Sequence, residues 1–508
     1  MGSCRRKGRS FTICLLISMA KDQGCRVGSF RSLYCFLSSA SLFILCLYWS
    51  RSSPIWHAEN HFLMEHQSQA IDLLSYPSAW NHLSFPSNLP TKRLKIALFV
   101  RKWPQKNRAG GMERHAMTLH LGLAKRGHEL HIFTASSLNS SFQYPLKNLF
   151  FHLSKPTSGG YLDQAQVWKL FEEQNSTGRP FDVVHTESVG LMHTRAKRVT
   201  NLAASWHGIA YESIHSNIIQ ELLRVPEEQA SSRLTENLKK VVDEVKFFPR
   251  YTHHVATSDH CGDVLKRIYM IPEERVHTIL NGVDEQIFKP DAASGRDYLY
   301  QVGISDPKLL VLGMAGRLVR DKGHPLIFEA LNQILSENKE FSKSVIILVA
   351  GDGPWGSRYR ELGANVVVLG PLEQSQLSKF YNAIDIFLNP TLRAQGLDHT
   401  LLEAMMSGKP VMATNLASIT GSVIVNSDLG YTFSPTVDSL KAVIYKVWAE
   451  GKGSMSQKGR MARQRALKLY TATKMVAAYE RLFLCISSDH QNKDEYCKYG
   501  PTSHQRLL

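Results

Sequence analysis

The apolar and polar positions of this chain alternate in two long stretches, from about residue 95 to 285 and again from 309 to 414. In each stretch, short apolar runs are separated by longer segments whose apolar residues recur about every third or fourth position. The short runs are typical of buried strands and the longer segments of helices that cover a sheet. The predicted strands are Ile96–Val100, Leu130–Thr134, Val183–Val184, Leu202–Trp206, Val255–Thr257, Val276–Leu280, Leu309–Ala315, Val345–Ala350, Val366–Leu369, Ile384–Leu388 and Val411–Ala413.

This alternation predicts an α/β fold with two Rossmann-like, doubly wound domains that face each other across a cleft. We place the first domain at residues 93–284 and the second at 285–463, with the boundary at the turn Asn281-Gly282. A C-terminal helix is expected over residues 464–485 and a flexible tail over 486–508. Ligands bind beyond the carboxyl ends of parallel strands, so each domain should hold one substrate at the cleft.

The amino-terminal region has a different pattern. Residues 1–32 carry seven basic side chains, residues 33–50 contain the uncharged run Leu33–Trp49, and residues 51–92 are rich in proline without a sustained apolar period. The uncharged run is close to the roughly 17 to 25 residues that cross a bilayer. The positive-inside rule then predicts a cytosolic tail, a transmembrane anchor and a stem that leads into a lumen. A cleaved signal peptide is the alternative.

A type II anchor places the globular part in the lumen of the Golgi or endoplasmic reticulum. Two glycosylation triplets begin at Asn139 and Asn175 on that side. Cys485 and Cys497 could pair in an oxidising lumen or remain free thiols.

Composition excludes several other classes. The chain has 508 residues and a formal net charge of +16, but part of the positive excess lies in the basic tail. The remaining charge is dispersed without a basic and aromatic block, which argues against nucleic acid as a partner. Neither turn that follows the first strand of each domain carries a Gly-x-Gly-x-x-Gly pattern with a following acidic residue, which disfavours a nicotinamide oxidoreductase. No Cys/His spacing resembles a zinc site.

One ordered pair of segments carries the strongest chemical prediction. The basic turn Gly316–Gly323 follows an apolar strand, and a helix containing Glu403 follows later in the same domain. Arg317 and Lys322 in this turn can contact phosphate oxygens, whereas Glu403 can accept hydrogen bonds from both hydroxyls of a ribose. The pair predicts a pocket for a nucleoside diphosphate.

Together with three further motifs, this pair resembles a family 4 glycosyltransferase of the GT-B architecture over roughly residues 93 to 485. The resemblance implies transfer of a sugar from a nucleotide-sugar donor with retention at the anomeric carbon. It also implies no metal and no other cofactor, and the chain contains no Asp-x-Asp motif. The three further motifs are the segment from Gly110-Gly111-Met112-Glu113-Arg114 to Arg126-Gly127-His128-Glu129, then Trp206-His207-Gly208, and then Asn281-Gly282-Val283-Asp284.

The resemblance also assigns roles to individual residues. His207 would face the transferred sugar and act in catalysis with Arg317 and Lys322, whose charges would stabilise the leaving diphosphate. Gly110 and Gly111 would allow the donor to approach backbone N–H groups at a helix start, although a simple helix-entry turn also explains them.

The donor site departs from the family pattern at one position. The family usually has a glutamate eight positions before the residue that matches Glu403, and this chain has Gln395 there, followed by Gly396. Both residues are assigned to donor binding. Asp398 could supply the missing negative charge, or it could cap the following helix.

Two functions remain open from the sequence. The first is a retaining transferase that acts on a glycan, a glycolipid or a small glycoside. The second, which Gln395 motivates, is a non-catalytic GT-B protein that binds a nucleotide or glycan as a partner or sensor.

Overall fold

The computed structural model describes residues 70–86, 88–104, 110–136, 144–224, 226–394, 397–488 and 493–500. Within these residues the chain forms two parallel sheets and one short antiparallel pair of strands. In chain order the strands are Ile71–Asp72 (β1), Lys95–Phe99 (β2), Glu129–Ala135 (β3), Leu149–Ser154 (β4), Val183–Glu187 (β5), Leu202–Trp206 (β6), His253–Ala256 (β7), Val276–Thr278 (β8), Leu310–Ala315 (β9), Val345–Ala350 (β10), Val366–Gly370 (β11), Ile386–Asn389 (β12), Val411–Thr414 (β13), Gly430–Phe433 (β14) and Lys498–Tyr499 (β15).

The helices connect the parallel strands and cover both faces of each sheet. In chain order they are Gly111–Lys125 (α1), Gln164–Ser176 (α2), His193–Ala196 (α3), Ala210–Leu222 (α4), Arg233–Phe247 (α5), Asp259–Arg267 (α6), Ala292–Gln301 (α7), His324–Glu337 (α8), Lys339–Ser344 (α9), Trp355–Arg360 (α10), Gln374–Ala383 (α11), His399–Met406 (α12), Ala417–Thr420 (α13), Val437–Leu469 (α14), Ala472–Ile486 (α15) and Lys493–Cys497 (α16).

The first sheet has the strand order β4-β3-β2-β5-β6-β7-β8, and the second has the order β11-β10-β9-β12-β13-β14. Every neighbouring pair in both sheets is parallel. All five residues of β2 are buried, as expected for a central strand covered on both faces. The two doubly wound sheets confirm the predicted pair of Rossmann-like domains.

The chain passes between the two domains at two adjacent points. The Val283 N–H donates to the Tyr470 carbonyl at 2.9 Å, and the Ala472 N–H donates to the Val283 carbonyl at 2.8 Å. These bonds stand where the predicted helix over residues 464–485 is interrupted, so α14 ends at Leu469 and α15 begins at Ala472. After the crossing, α15 packs against α1 of the first domain.

The folded part begins earlier than the predicted domain start at residue 93. In the segment that we assigned to the stem, Trp80 is fully buried and the Asn81 amide donates to the carbonyls of Leu280 and Leu469. These contacts tie the segment to both interdomain crossings. The prolines of this segment had suggested a linker. The segment instead contains two short 3-10 turns, Leu73–Ser75 and Trp80–His82, whose buried residues pack on the core.

Part of the predicted flexible tail also has regular structure. Cys485 and Cys497 form a disulfide, which settles the alternative that the sequence left open. The following strand β15 pairs antiparallel with β1.

The predicted anchor at residues 33–50 lies outside the described residues, as does the basic tail before it. No helix in the described segments has the length and apolar character to cross a bilayer.

Candidate functional site

A cavity of about 1710 Å³ lies where the carboxyl ends of both parallel sheets meet. One wall follows the ends of β2, β5 and β6, and the other follows β9 and β10, as expected for ligand binding in α/β folds. Residues from the first domain that line it are Arg101, Pro104, Gly110, Gly111, Met112, Glu113, Arg114, Met117, Tyr144, Ser188, His207, Gly208, Lys240 and Asn281. Residues from the second include Gly316, Arg317, Lys322, Gly351, Asp352, Arg393, Asp398, His399 and Thr400.

The basic turn after β9 presents two cations to this cavity. Arg317 is exposed, and its guanidinium has no hydrogen-bond or ion-pair partner among the described residues. Its carbonyl accepts a hydrogen bond from His324 at 3.1 Å, which holds the turn on α8. The turn closes at Gly323, whose φ of 78° places it in the left-handed region; a Cβ there would lie 1.8 Å from the Pro390 carbonyl oxygen.

Lys322 and Asp398 form an ion pair at the edge of the cavity. The Lys322 Nζ donates to Asp398 Oδ2 at 2.5 Å. The other Asp398 oxygen accepts from the Thr400 backbone N–H, so Asp398 is the N-cap of α12. Burial opposes ionisation of Asp398, but Lys322 and the hydrogen bonds outweigh it and hold the pKa of Asp398 well below its usual range. Asp398 therefore performs the capping role that was one of its two predicted alternatives.

Glu403 lies on α12 behind the cavity surface and is 1% exposed. Its Oε1 accepts from Arg114 Nη1 of α1 at 2.5 Å, and its Oε2 accepts from the Tyr381 hydroxyl of α11 at 2.9 Å. Burial raises the pKa of Glu403, and the neighbouring Arg114 charge partly offsets this shift. Glu403, the residue predicted to bind the ribose, thus already accepts two hydrogen bonds, one from each domain.

His207 lies on the opposite wall, directly after β6. Its Nε2 donates to Glu187 Oε2 at 2.6 Å, while Glu187 Oε1 lies 3.2 Å from His115 Nδ1. Glu187 is fully buried at the carboxyl end of β5. Burial opposes its ionisation, but the surrounding histidines hold the pKa of Glu187 well below its usual range. Because Nε2 is engaged, Nδ1 is the His207 nitrogen available to a ligand; it has no hydrogen-bond partner within the described segments.

A second buried chain of hydrogen bonds runs beside Glu187. His120 Nδ1 bonds the Ala116 carbonyl at 2.8 Å, and its Nε2 lies 3.1 Å from His185 Nδ1. His185 Nε2 bonds Ser205 Oγ at 2.8 Å, and Ser205 Oγ bonds the Tyr479 hydroxyl at 2.7 Å. The pattern assigns neutral histidines, each with one donor and one acceptor nitrogen. Burial lowers the pKa of His120 to about 4.

His115, Glu187 and His207 offer ligand atoms within 4.8 Å of one another, as do His120, His185 and Glu187. Such sets can hold a transition metal in principle. Hydrogen bonds from His115 and His207 already account for both oxygens of the shared carboxylate.

The remaining predicted site residues are distributed as follows. Gly110 and Gly111 line the cavity, and Gly110 is also the N-cap of α1, so the helix-entry and cleft interpretations describe the same turn. Gln395 and Gly396 lie outside the described residues. Asn175 is in the last turn of α2, where its side-chain oxygen accepts from the Phe181 N–H at 3.0 Å. Asn139 also lies outside the described residues.

Sequence reasoning gave no role to Glu187, Tyr381 or Arg114. Arg114 stands in a motif that we used for the resemblance, and Glu187 stands at a strand end, but neither spacing reveals a partner. Their contacts join residues that are 20 to 289 positions apart.

Two facing Rossmann-like domains, with cations on one wall and a histidine on the other, define a protein of the GT-B class. The chain matches the family model described as Glycosyltransferase Family 4 over residues 109–287 and that of Glycosyl transferases group 1 over residues 310–450. The matched residues make up more than half of the chain. It belongs to the family 4 glycosyltransferases.

Known relatives carry glycosyltransferase names, and solved structures share the two-domain fold. D-inositol 3-phosphate glycosyltransferase 1 of Catenulispora acidiphila is 26% identical over 48% of this chain, and the match spans only 58% of that relative. The enzyme of the same activity name from Xylanimonas cellulosilytica is 25% identical, with 70% of this chain and 85% of the relative covered.

Sucrose-phosphate synthase from Thermosynechococcus elongatus has a TM-score of 0.60 at 18% identity, covering 77% of this chain and 99% of that one. Anabaena HepE, solved in complex with UDP and glucose, has a TM-score of 0.55 at 17% identity, covering 76% and 98%.

Proposed function

We propose that this protein is a retaining, metal-independent glycosyltransferase that moves a sugar from a nucleotide-sugar donor to a glycan, a glycolipid or a small glycoside. The observation that carries the proposal is the exposed Arg317, which has no partner among the described residues and faces the cavity beside Lys322. An unpaired cation after a buried strand suits a diphosphate, whose negative charge grows as the glycosidic bond breaks. No metal is then required for this charge.

Roles follow from the two walls. The nucleoside diphosphate would lie along the second domain, with Arg317 and Lys322 near its phosphates and Glu403 near its ribose. His207 would face the transferred sugar through Nδ1, because its Nε2 is held by Glu187. A protonated His207 could donate to a sugar hydroxyl, and a neutral one could accept. The acceptor would enter along the first domain.

UDP-glucose is the first donor to test, because Anabaena HepE was solved with UDP and glucose. The names of the bacterial relatives identify a phosphorylated inositol as their acceptor, so small polyols belong in the acceptor panel.

We also propose a luminal site of action in the Golgi or endoplasmic reticulum, with the chain held by an amino-terminal type II anchor. The Cys485–Cys497 disulfide supports this location, since stable disulfides are rare in the cytosol. A protease-protection assay on microsomes, combined with glycosidase treatment to detect glycans on Asn139 and Asn175, tests the orientation. Full digestion without membrane disruption would refute it.

The activity test uses the full chain with a panel of UDP-, GDP- and ADP-sugars. Thermal stabilisation reports donor binding, and release of nucleoside diphosphate reports turnover. We expect one donor to give both responses, Arg317→Ala to abolish release, and an excess of EDTA to leave release unchanged. Retention is read from the anomeric configuration of the product by NMR. Stabilisation without release for any donor and acceptor would favour a protein that only binds nucleotide sugars.

A further inference from the structure

Among the described residues that line the cavity, Arg114 alone forms an ion pair with Glu403. It lies in the first turn of α1, and its Nη1 donates to Glu403 Oε1 at 2.5 Å. The side chains are 13% and 2% exposed, respectively. This contact joins the two domains at the residue that is expected to bind the donor ribose.

The geometry leaves Glu403 with capacity for a ligand. Each carboxylate oxygen can accept about two hydrogen bonds. Arg114 uses one site on Oε1, and Tyr381 uses one site on Oε2. One site remains on each oxygen, which is the number that two neighbouring ribose hydroxyls need.

Arg114 also affects the charge of this carboxylate. Burial raises the pKa of Glu403 and the nearby Asp398 carboxylate adds to the rise, whereas the charge of Arg114 and the hydrogen bond from Tyr381 oppose it. A protonated carboxyl group has one O–H donor in place of an acceptor site, so it could not accept from both hydroxyls in the same way. Without Arg114, we expect protonation to compete with ribose binding.

The position of Arg114 is set by close contact between the domains. A Cβ added at Gly111 would lie 3.3 Å from the His399 ring, so the start of α1 lies directly against α12. Movement of this turn away from α12 would withdraw Arg114 from Glu403. Donor binding and the contact between the domains should therefore favour each other.

We propose that Arg114 is a positioning residue for the donor: its hydrogen bond holds the Glu403 carboxylate in place for the ribose, and so couples donor affinity to the contact between the two domains. This inference rests on the proposed function, in which Glu403 binds the ribose of a nucleotide sugar.

The test measures nucleoside diphosphate binding to the full chain by isothermal titration calorimetry. UDP, GDP and ADP are compared first, and the tightest ligand is then compared with its 2′-deoxy form at pH 6 and pH 8. Both ligands carry the same diphosphate, so the ratio of their affinities cancels the effect of phosphate titration. The variants are Arg114→Gln, Arg114→Lys and the matched control Glu228→Gln. Glu228 forms an exposed ion pair with Arg320 of the other domain, at 2.8 and 2.5 Å, and neither residue lines the cavity.

We expect Arg114→Gln to reduce the preference for ribose over 2′-deoxyribose by about tenfold at pH 6, the loss of one charge-assisted hydrogen bond. The preference should recover toward pH 8 as the Glu403 carboxyl ionises. Arg114→Lys, which retains the positive charge, should restore most of the preference. Glu228→Gln should keep it unchanged.

Other outcomes overturn the inference at separate points. Equal weakening of the ribose and deoxyribose ligands in Arg114→Gln, without pH dependence, would make Arg114 a general structural contact and leave the donor site standing. Wild-type protein that binds both ligands equally would remove the ribose role of Glu403. Wild-type protein that binds no nucleoside diphosphate would refute the proposed function together with the inference.

Discussion

The substitution Glu187→Gln tests whether the buried carboxylate behind His207 supports catalysis. Glu187 accepts from His207 at 2.6 Å and bonds His115 at 3.2 Å. A glutamine has one acceptor oxygen and one NH₂ donor group. One of the two histidines would therefore face the NH₂ group at the place where it now faces a carboxylate oxygen. The negative charge that stabilises a protonated His207 is also lost.

The geometry sets the expected size of the effect. A hydrogen bond to a charged group contributes about 1.5–3 kcal/mol, and the His207–Glu187 bond is short, with Glu187 fully buried. If His207 must keep its orientation in the transition state, the same energy lowers kcat by about 10- to 150-fold. The donor KM should change less, because the residues proposed to contact the diphosphate and the ribose, Arg317, Lys322 and Glu403, lie on the other domain.

The assay is release of nucleoside diphosphate at saturating acceptor, with kcat and donor KM measured below the unfolding temperature of each variant. Glu480→Gln is a matched control, because Glu480 is also a buried carboxylate paired with a histidine, His128 at 2.8 Å, and does not line the cavity. It should lower the unfolding temperature without changing kcat. A Glu187→Gln enzyme with kcat within about twofold of wild type, when His207→Ala is strongly impaired, would refute the reasoning.

Three further predictions follow from the same contacts. Burial lowers the pKa of His120 from 6.5 to about 4. As the pH drops from about 6.5 to 4, the unfolded chain takes up a proton on this residue before the folded chain does, so the free energy of unfolding falls. The expected loss across this window is about 3 kcal/mol. Denaturant titrations at pH 7 and 4.5 should show this loss in wild type and less of it in His120→Gln, and equal losses would contradict the assignment. The Cys485–Cys497 disulfide spans 12 positions, so Cys497→Ser should reduce stability by about 3 kcal/mol, with the reductant having no further effect; an unchanged melting temperature would exclude a stabilising bond. Asp398→Asn should raise the donor KM and lower stability by about 2 kcal/mol, because Lys322 loses a charged partner, whereas unchanged kinetics would separate this ion pair from donor binding.

The alternating apolar pattern was sufficient to predict the two parallel sheets. Buried parallel strands such as β2 and β9 are short and almost entirely apolar, and the helices between strands have one apolar face. These features depend on chain geometry over only a few neighbouring residues, so they can be recognised in a single sequence. The turn at Gly316–Gly323 and the helix with Glu403 were also identifiable, because each follows an apolar strand and their order along the chain resembles that of the family.

The structure assigned partners that sequence distance conceals. The Arg114–Glu403 ion pair joins residues 289 positions apart, and the Asn81 amide reaches carbonyls 199 and 388 positions away. The proline-rich segment around Asn81 lacks an apolar period, so nothing in its own sequence indicated that it packs on the interdomain crossings.

By itself, then, the sequence determined which elements form and which residue types stand at the strand ends, since these depend on neighbours along the chain. Only the tertiary structure decided that Glu187 orients His207 and that Arg114 contacts Glu403. The reason is physical: the charge and orientation of a buried group depend on the groups packed around it, and packing brings together residues from separate elements and separate domains.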